Sequence, residues 1–124
     1  MRPIEIPDTV RERIDKLGGT RRLSEAIPKR ERLRPLTNMM QSLSDPVRLS
    51  ILYSLSAAPL CVCVMKSVFR IADSKLSYHL SNLRAAGLIT QSHEGKFIVY
   101  EMTDVGSRLL SAINNIEPVS SKPT

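Results

Sequence analysis

The stretch LCVCVMKSVFRIADSKLSYHLSNLRAAGLITQSHEGKFIVYEM, residues 60–102, decides the fold. At its centre Leu76, Leu80 and Leu83 recur at helical spacing, with Asp73 or Ser74 able to cap the start and Gly87 closing the helix. Upstream, Val62, Met65, Val68 and Phe69 make the inward side of another helix, expected to start near Leu60. Only a short break around Ile71-Ala72-Asp73 separates the two, and helices joined so closely form a helix-turn-helix. Downstream, Leu88–His93 and Phe97–Met102 are rich in Ile, Val, Phe, Tyr and Thr and read as two strands. Glu94-Gly95 supplies the turn between them. A hairpin directly after the second helix is a wing.

Working outward, Leu36, Met39, Met40 and Leu43 lie at i, i+3, i+4 and i+7, a helix of about eight residues. Asp45-Pro46 opens the next helix, because Asp is a good N-cap and Pro at the first helical position gives up only an N–H without a partner. Val47, Ile51, Leu52 and Leu55 form its buried stripe, and Ala57-Ala58-Pro59 stops it. After the wing, Thr103 or Asp104 can cap a last helix carrying Val105, Leu109, Leu110, Ile113 and Ile116. In front, Val10, Ile14 and Leu17 mark a short amphipathic helix ended by Gly18-Gly19, and Leu23, Ala26 and Ile27 suggest another turn or two. The expected organisation is therefore a basic helical extension over 1–35, a winged helix-turn-helix domain over 36–117, and a disordered tail over 118–124. The fold class is mainly α with a small β-hairpin wing.

Composition sets bounds on what such a chain does. Its 124 residues have room for one core, and with 4% aromatic residues and no Trp that core is aliphatic. The formal charge of +6 points toward a polyanion, of which nucleic acid is the commonest. Residues 1–36 hold ten Lys/Arg against six Asp/Glu, a surplus of +4, so two thirds of the net charge lies in the first third of the chain. Within it, Lys29-Arg30-Glu31-Arg32-Leu33-Arg34 reads equally as a solvated face or as a run that meets phosphates. No apolar run approaches the roughly 18 residues of a membrane span, and the first ten residues lack a signal peptide's apolar stretch. A cytoplasmic protein with reduced thiols is expected.

The helix over 73–87 offers a face suited to DNA. Ser74, Lys75, Ser77, Tyr78, Ser81 and Asn82 lie away from the leucine stripe and present hydroxyls, an amide, a cation and a phenol. A helix enters the major groove and hydrogen-bonds base edges with such groups. Serine is a poor helix former, so three on one face favour a contact role over a plain surface helix. Lys96 at the wing tip is placed for phosphate or the minor groove, while His93 reads equally as an exposed turn residue. His79 belongs with the candidate DNA contacts by position, although it lies beside the stripe and reads more readily as a packed, hydrogen-bonded histidine than as a metal ligand.

The stretches LSDPVRLSIL (43–52), LCVC (60–63) and KLSYHLSNLRAAGLI (75–89) together resemble the ArsR/SmtB family. The resemblance runs from about Leu36 to Ile116 and implies a homodimeric winged-helix repressor. Such a repressor binds double-stranded operator DNA and leaves it when a thiophilic metal or metalloid binds. It implies no enzyme, and neither a Gly-rich phosphate loop nor a His–carboxylate constellation is visible. The first amphipathic segments and the last helix are the expected dimer seam. Residues 1–36 exceed the family's usual leader, so no role for them is inherited.

Cys61 and Cys63 resemble the family's soft-metal site, for which As(III), Cd(II), Hg(II) and Zn(II) are the candidate effectors. Residues two apart on an ideal helix point about 200° from each other. Both sulfurs face one ion only if the first turn is unwound. Two departures from the best-known arsenite-responsive members matter: Lys66 stands where they have a third Cys, and Val64 where Asp follows the pair. Two thiolates still suit a monosubstituted arsenical, or a metal completed by a carboxylate, water or the partner chain. The family's second site, on the last helix, reads as absent, since only Asp104 matches it. A redox-switched pair, two apolar structural residues, and an effector-free or RNA-binding winged helix stay open as alternatives.

Overall fold

The computed structural model describes residues 5–116, which fall into two units divided between Arg34 and Pro35. The tail expected over 118–124 lies outside the described residues. In the front unit, helix α1 spans Asp8–Leu17 and α2 spans Thr20–Glu25. The break between them is made by Gly18 (φ 105°) and Gly19 (φ 92°), in the left-handed region that glycine enters freely. Neither helix contains a buried residue.

Helix α3, Arg30–Ser42, begins six residues before the helix expected from Leu36. The charged run therefore winds as a helix, its first bonds running from the Arg32 and Leu33 N–H groups to the Lys29 carbonyl. Pro35 stands inside it. A proline there removes one backbone bond without forbidding the helix.

In the second unit the apolar stripes converge as their spacing predicts, except at Val68, which was expected inward and is 59% exposed because it lies on the outer side of its short helix. Helix α4 (Pro46–Ala57) buries Ile51, Leu52 and Leu55, and α6 (Asp73–Ala85) buries Leu76, Leu80 and Leu83. Met65 of α5 (Val62–Phe69), Leu88, Ile89, Tyr100 and Leu110 of α7 (Asp104–Ile116) complete the core. The wing strands are β2 (Ile89–Glu94) and β3 (Phe97–Met102), joined through Gly95 (φ 61°) and Lys96. A further strand, β1 (Leu60–Cys61), pairs antiparallel with β3 and gives the sheet order β1-β3-β2. The sequence reading missed β1 because two residues are too few to show a period. Among the described residues no helix is long and apolar enough to cross a membrane.

The caps divide between expectation and correction. Asp45 caps α4 as expected, its Oδ1 accepting from the N–H groups of Val47 (2.8 Å) and Arg48 (3.2 Å). Neither Asp73 nor Ser74 caps α6; Ala72 takes that position with no side-chain bond, and Asp73 is the first helical residue. Thr103 starts α7, its Oγ1 accepting from Gly106 N–H at 3.0 Å while donating to the Gly87 carbonyl at 2.7 Å.

Desolvation works against ionising Asp45, but the backbone bonds from Arg48 and Val47 and the nearby Arg48 and His79 outweigh it, holding the carboxyl below its ordinary 3.8. A folded pKa below the unfolded one means stabilisation that is present above pH 3.8 and lost as pH falls below it. Asp45→Ala is thus expected to lower the melting temperature at pH 7 and to differ less from wild type near pH 3. An equal deficit at both pH values would show that the charge plays no part.

Candidate nucleic-acid interface and thiol pair

Helix α6 presents two different faces. Ser74, Lys75, Ser77, Tyr78 and Ser81 are exposed, Tyr78 to 61%, while the leucines opposite are buried. Asn82 is half-buried, and its Oδ1 accepts a 2.6 Å bond from the Ser42 hydroxyl of α3. Its amide N–H groups remain to donate elsewhere.

His79 is a correction to the DNA-facing set. It is only 5% exposed, and Arg48 Nη1 lies 3.2 Å from its Nδ1. Arg has only donors, so Nδ1 accepts in this bond. Arg48 Nε meanwhile donates to the Ser42 carbonyl at 2.6 Å. Ser42 and His79 are thus served by one guanidinium, and Ser42 passes the connection on to Asn82. This network ties α3 and α4 to the middle of α6 and holds the exposed face at a fixed angle. Its Arg48 was legible only as part of a motif, because its partner is 31 positions away in the chain.

The turn between α5 and α6 contains Arg70, whose φ of 51° is the one positive value at a non-glycine residue among those described. Lys66 of α5 bridges that turn to Asp73, Nζ to Oδ2, at 3.0 Å. Across the wing turn Lys96 is exposed, with Nζ 5.5 Å from the centre of the Phe97 ring.

Cys61 and Cys63 straddle the β1–α5 junction. Cys61 is extended (φ −81°, ψ 159°) and precedes the first helical residue, while Cys63 lies in the first turn. Extended backbone at Cys61 removes the divergence that an unbroken helix would impose, and the structure joins the two sulfurs as a disulfide with Cα atoms 5.4 Å apart. Reduced thiols were expected; the joined pair is what the junction geometry permits. Cys61 also pairs through its strand with Val99 of β3, so the thiols lie where the wing meets the helix-turn-helix. They line one end of a cleft of about 550 Å³ whose other walls include Lys66, Leu76, Lys96 and Phe97. Among the described residues no three His, Cys, Asp or Glu side chains come together to hold a metal ion. Within one chain, then, no third ligand of these types stands beside the two sulfurs among the described residues.

Residues 45–91 match the model of the family described as bacterial regulatory protein, arsR family. The arsenical resistance operon repressor of Bacillus subtilis is 39% identical over 77 residues, 61% of this chain and 73% of that protein. The chain belongs to the ArsR family. ArsR-family proteins are transcriptional regulators with a helix-turn-helix, not enzymes, and this chain has their winged fold. It is also 30% identical over 79 residues to the HTH-type transcriptional repressor SmtB of Mycobacterium tuberculosis, spanning 64% of this chain and 58% of that one. Among solved structures, HlyU from Vibrio cholerae matches with a TM-score of 0.65 at 21% identity, covering 72% of this chain and 98% of that one. That likeness speaks for the ArsR fold alone.

Proposed function

We propose that this chain is a cytoplasmic homodimeric repressor that binds double-stranded operator DNA and is released when a thiophilic metalloid or metal engages Cys61 and Cys63. One observation carries the reading: the thiol pair lies at the junction that joins wing strand β3, through β1, to the first helix of the helix-turn-helix. The Bacillus subtilis relative's name, an arsenical resistance operon repressor, supports the ligand class.

On DNA, Ser74, Lys75, Ser77, Tyr78 and Ser81 meet base edges and phosphates in the major groove, and Lys96 meets the backbone beside the wing. Asn82 contributes through its free amide N–H groups. Cys61 and Cys63 would hold the effector, which supplies a soft centre that two thiolates bridge. Because Cys61 pairs with wing strand β3 and Cys63 lies in α5, a centre held between the two sulfurs sets the spacing of the two DNA-contacting parts. A coupling of about 1–3 kcal/mol between the states changes operator affinity about 5–150-fold.

The apolar faces left open in the second unit suit a second copy. Leu36 and Met40 of α3 and Val105 and Ile116 of α7 are exposed.

The test is operator affinity of the reduced protein, titrated with arsenite, phenylarsenite, Cd(II) and Zn(II), beside Cys61→Ser and Cys63→Ser. Weakening of wild type alone by one of these is expected. Loss of binding in all three proteins alike, or in none, defeats the thiolate site. The joined sulfurs favour a second reading, in which oxidation of the pair is itself the signal.

The front unit makes a separate contribution. Deleting residues 1–34 removes ten cations and six anions, and is expected to reduce the salt dependence of DNA binding. An unchanged slope assigns the segment to folding or assembly instead.

A further inference from the structure

We infer that the cleft beside the thiols is a docking site for small, carboxylate-bearing disulfides, which oxidise the pair by exchange. The inference rests on the second, redox reading above and adds the reaction partner. Three features of the cleft select that chemistry. Two cysteines close enough to join stand at one end, so a disulfide arriving there can be reduced outright. Two ammonium groups line the same space: Lys66, which is paired with the Asp73 carboxylate at 3.0 Å, and Lys96, which leaves the cleft a net positive charge. The remaining wall is mostly apolar, from Leu76, Phe97 and Ile98 with the Ser77 hydroxyl and Tyr100 among them, and a volume of about 550 Å³ holds a molecule of peptide size rather than a bare ion.

The two sulfurs are not equivalent. Cys63 is exposed, whereas Cys61 is half-buried and paired with Val99 of β3, so an incoming disulfide meets Cys63 first. Cys63 thiolate therefore attacks the incoming disulfide RSSR, forming a Cys63–S–S–R bond and expelling RS⁻. Cys61 thiolate then attacks the Cys63 sulfur, closing the Cys61–Cys63 bond and expelling the second RS⁻. The pair gives up two electrons and two protons, and RSSR leaves as two RSH.

The probes are oxidised glutathione, which is anionic, and cystamine, which is cationic, each mixed with the fully reduced full-length protein. The rate ratio of the two is expected to favour oxidised glutathione in wild type and to fall about tenfold in Lys96→Gln, an exposed position that leaves the fold intact. Cys61→Ser is expected to stop at a mixed disulfide on Cys63, seen by mass as one added thiol. An unchanged ratio in both Lys96→Gln and Lys66→Gln overturns the docking site. Trapping through Cys61 in Cys63→Ser, faster than through Cys63, overturns the order of attack. Operator affinity of the same reduced and oxidised samples tests the switch separately: equal affinities with the selectivity intact defeat the redox reading and leave the docking site standing.

Discussion

Gly106→Val is expected to destabilise the protein by about 3 kcal/mol, the upper end of the usual cost of overpacking. Gly106 is buried in the first turn of α7, and a Cβ there would overlap the Leu88 carbonyl oxygen and lie 3.0 Å from Met102 Cγ. The carbonyl cannot swing aside cheaply, because it accepts the Thr103 N–H at 3.0 Å and belongs to a residue with no exposed surface. Moving α7 instead would disturb the Thr103 cap that holds both Gly87 and Gly106. Urea unfolding of Gly106→Val and the milder Gly106→Ala measures the effect. A valine variant as stable as wild type would mean that α7 does not approach Leu88 this closely.

Loss of the α6 contact face has the largest expected effect on DNA. Ser77→Ala and Tyr78→Ala should each cost about 1–3 kcal/mol of operator binding, five- to 150-fold, with little change on unrelated DNA. Lys75→Ala should weaken all sequences alike and reduce the salt slope by about one charge. These side chains are exposed, so unfolding stability should stay within about 0.5 kcal/mol of wild type. Titration against operator and scrambled duplexes checks this. Equal losses on both duplexes for Ser77 and Tyr78 would remove α6 from base reading.

What was legible in the sequence follows from periodicity and range. Leu76, Leu80 and Leu83 announced α6 because helical spacing put them on one stripe, and Phe97–Met102 announced β3 because its residue types suit a sheet. The start of α3 was hidden by Pro35 and by a charged run with no apolar stripe. His79 is buried because its position adjoins the leucines, but the bond at its Nδ1 comes from Arg48, a contact local pattern does not encode. Gly106 gave the one signal that could have been used, a glycine early in a helix. The cysteine pair was found by motif, yet the extended conformation of Cys61 came from pairing with Val99, which residues 60–63 alone do not specify.

Strand β1 has only two residues, Leu60 and Cys61, against six in each strand of the hairpin. So short a ladder opens at far less cost than the core around it, and amide exchange there should run ahead of that in β2 and β3. A ligand needs only to bias an opening that thermal motion already samples. Regulation at this junction therefore works on a shallow local equilibrium, and its speed is that of a fraying strand rather than of a domain that refolds.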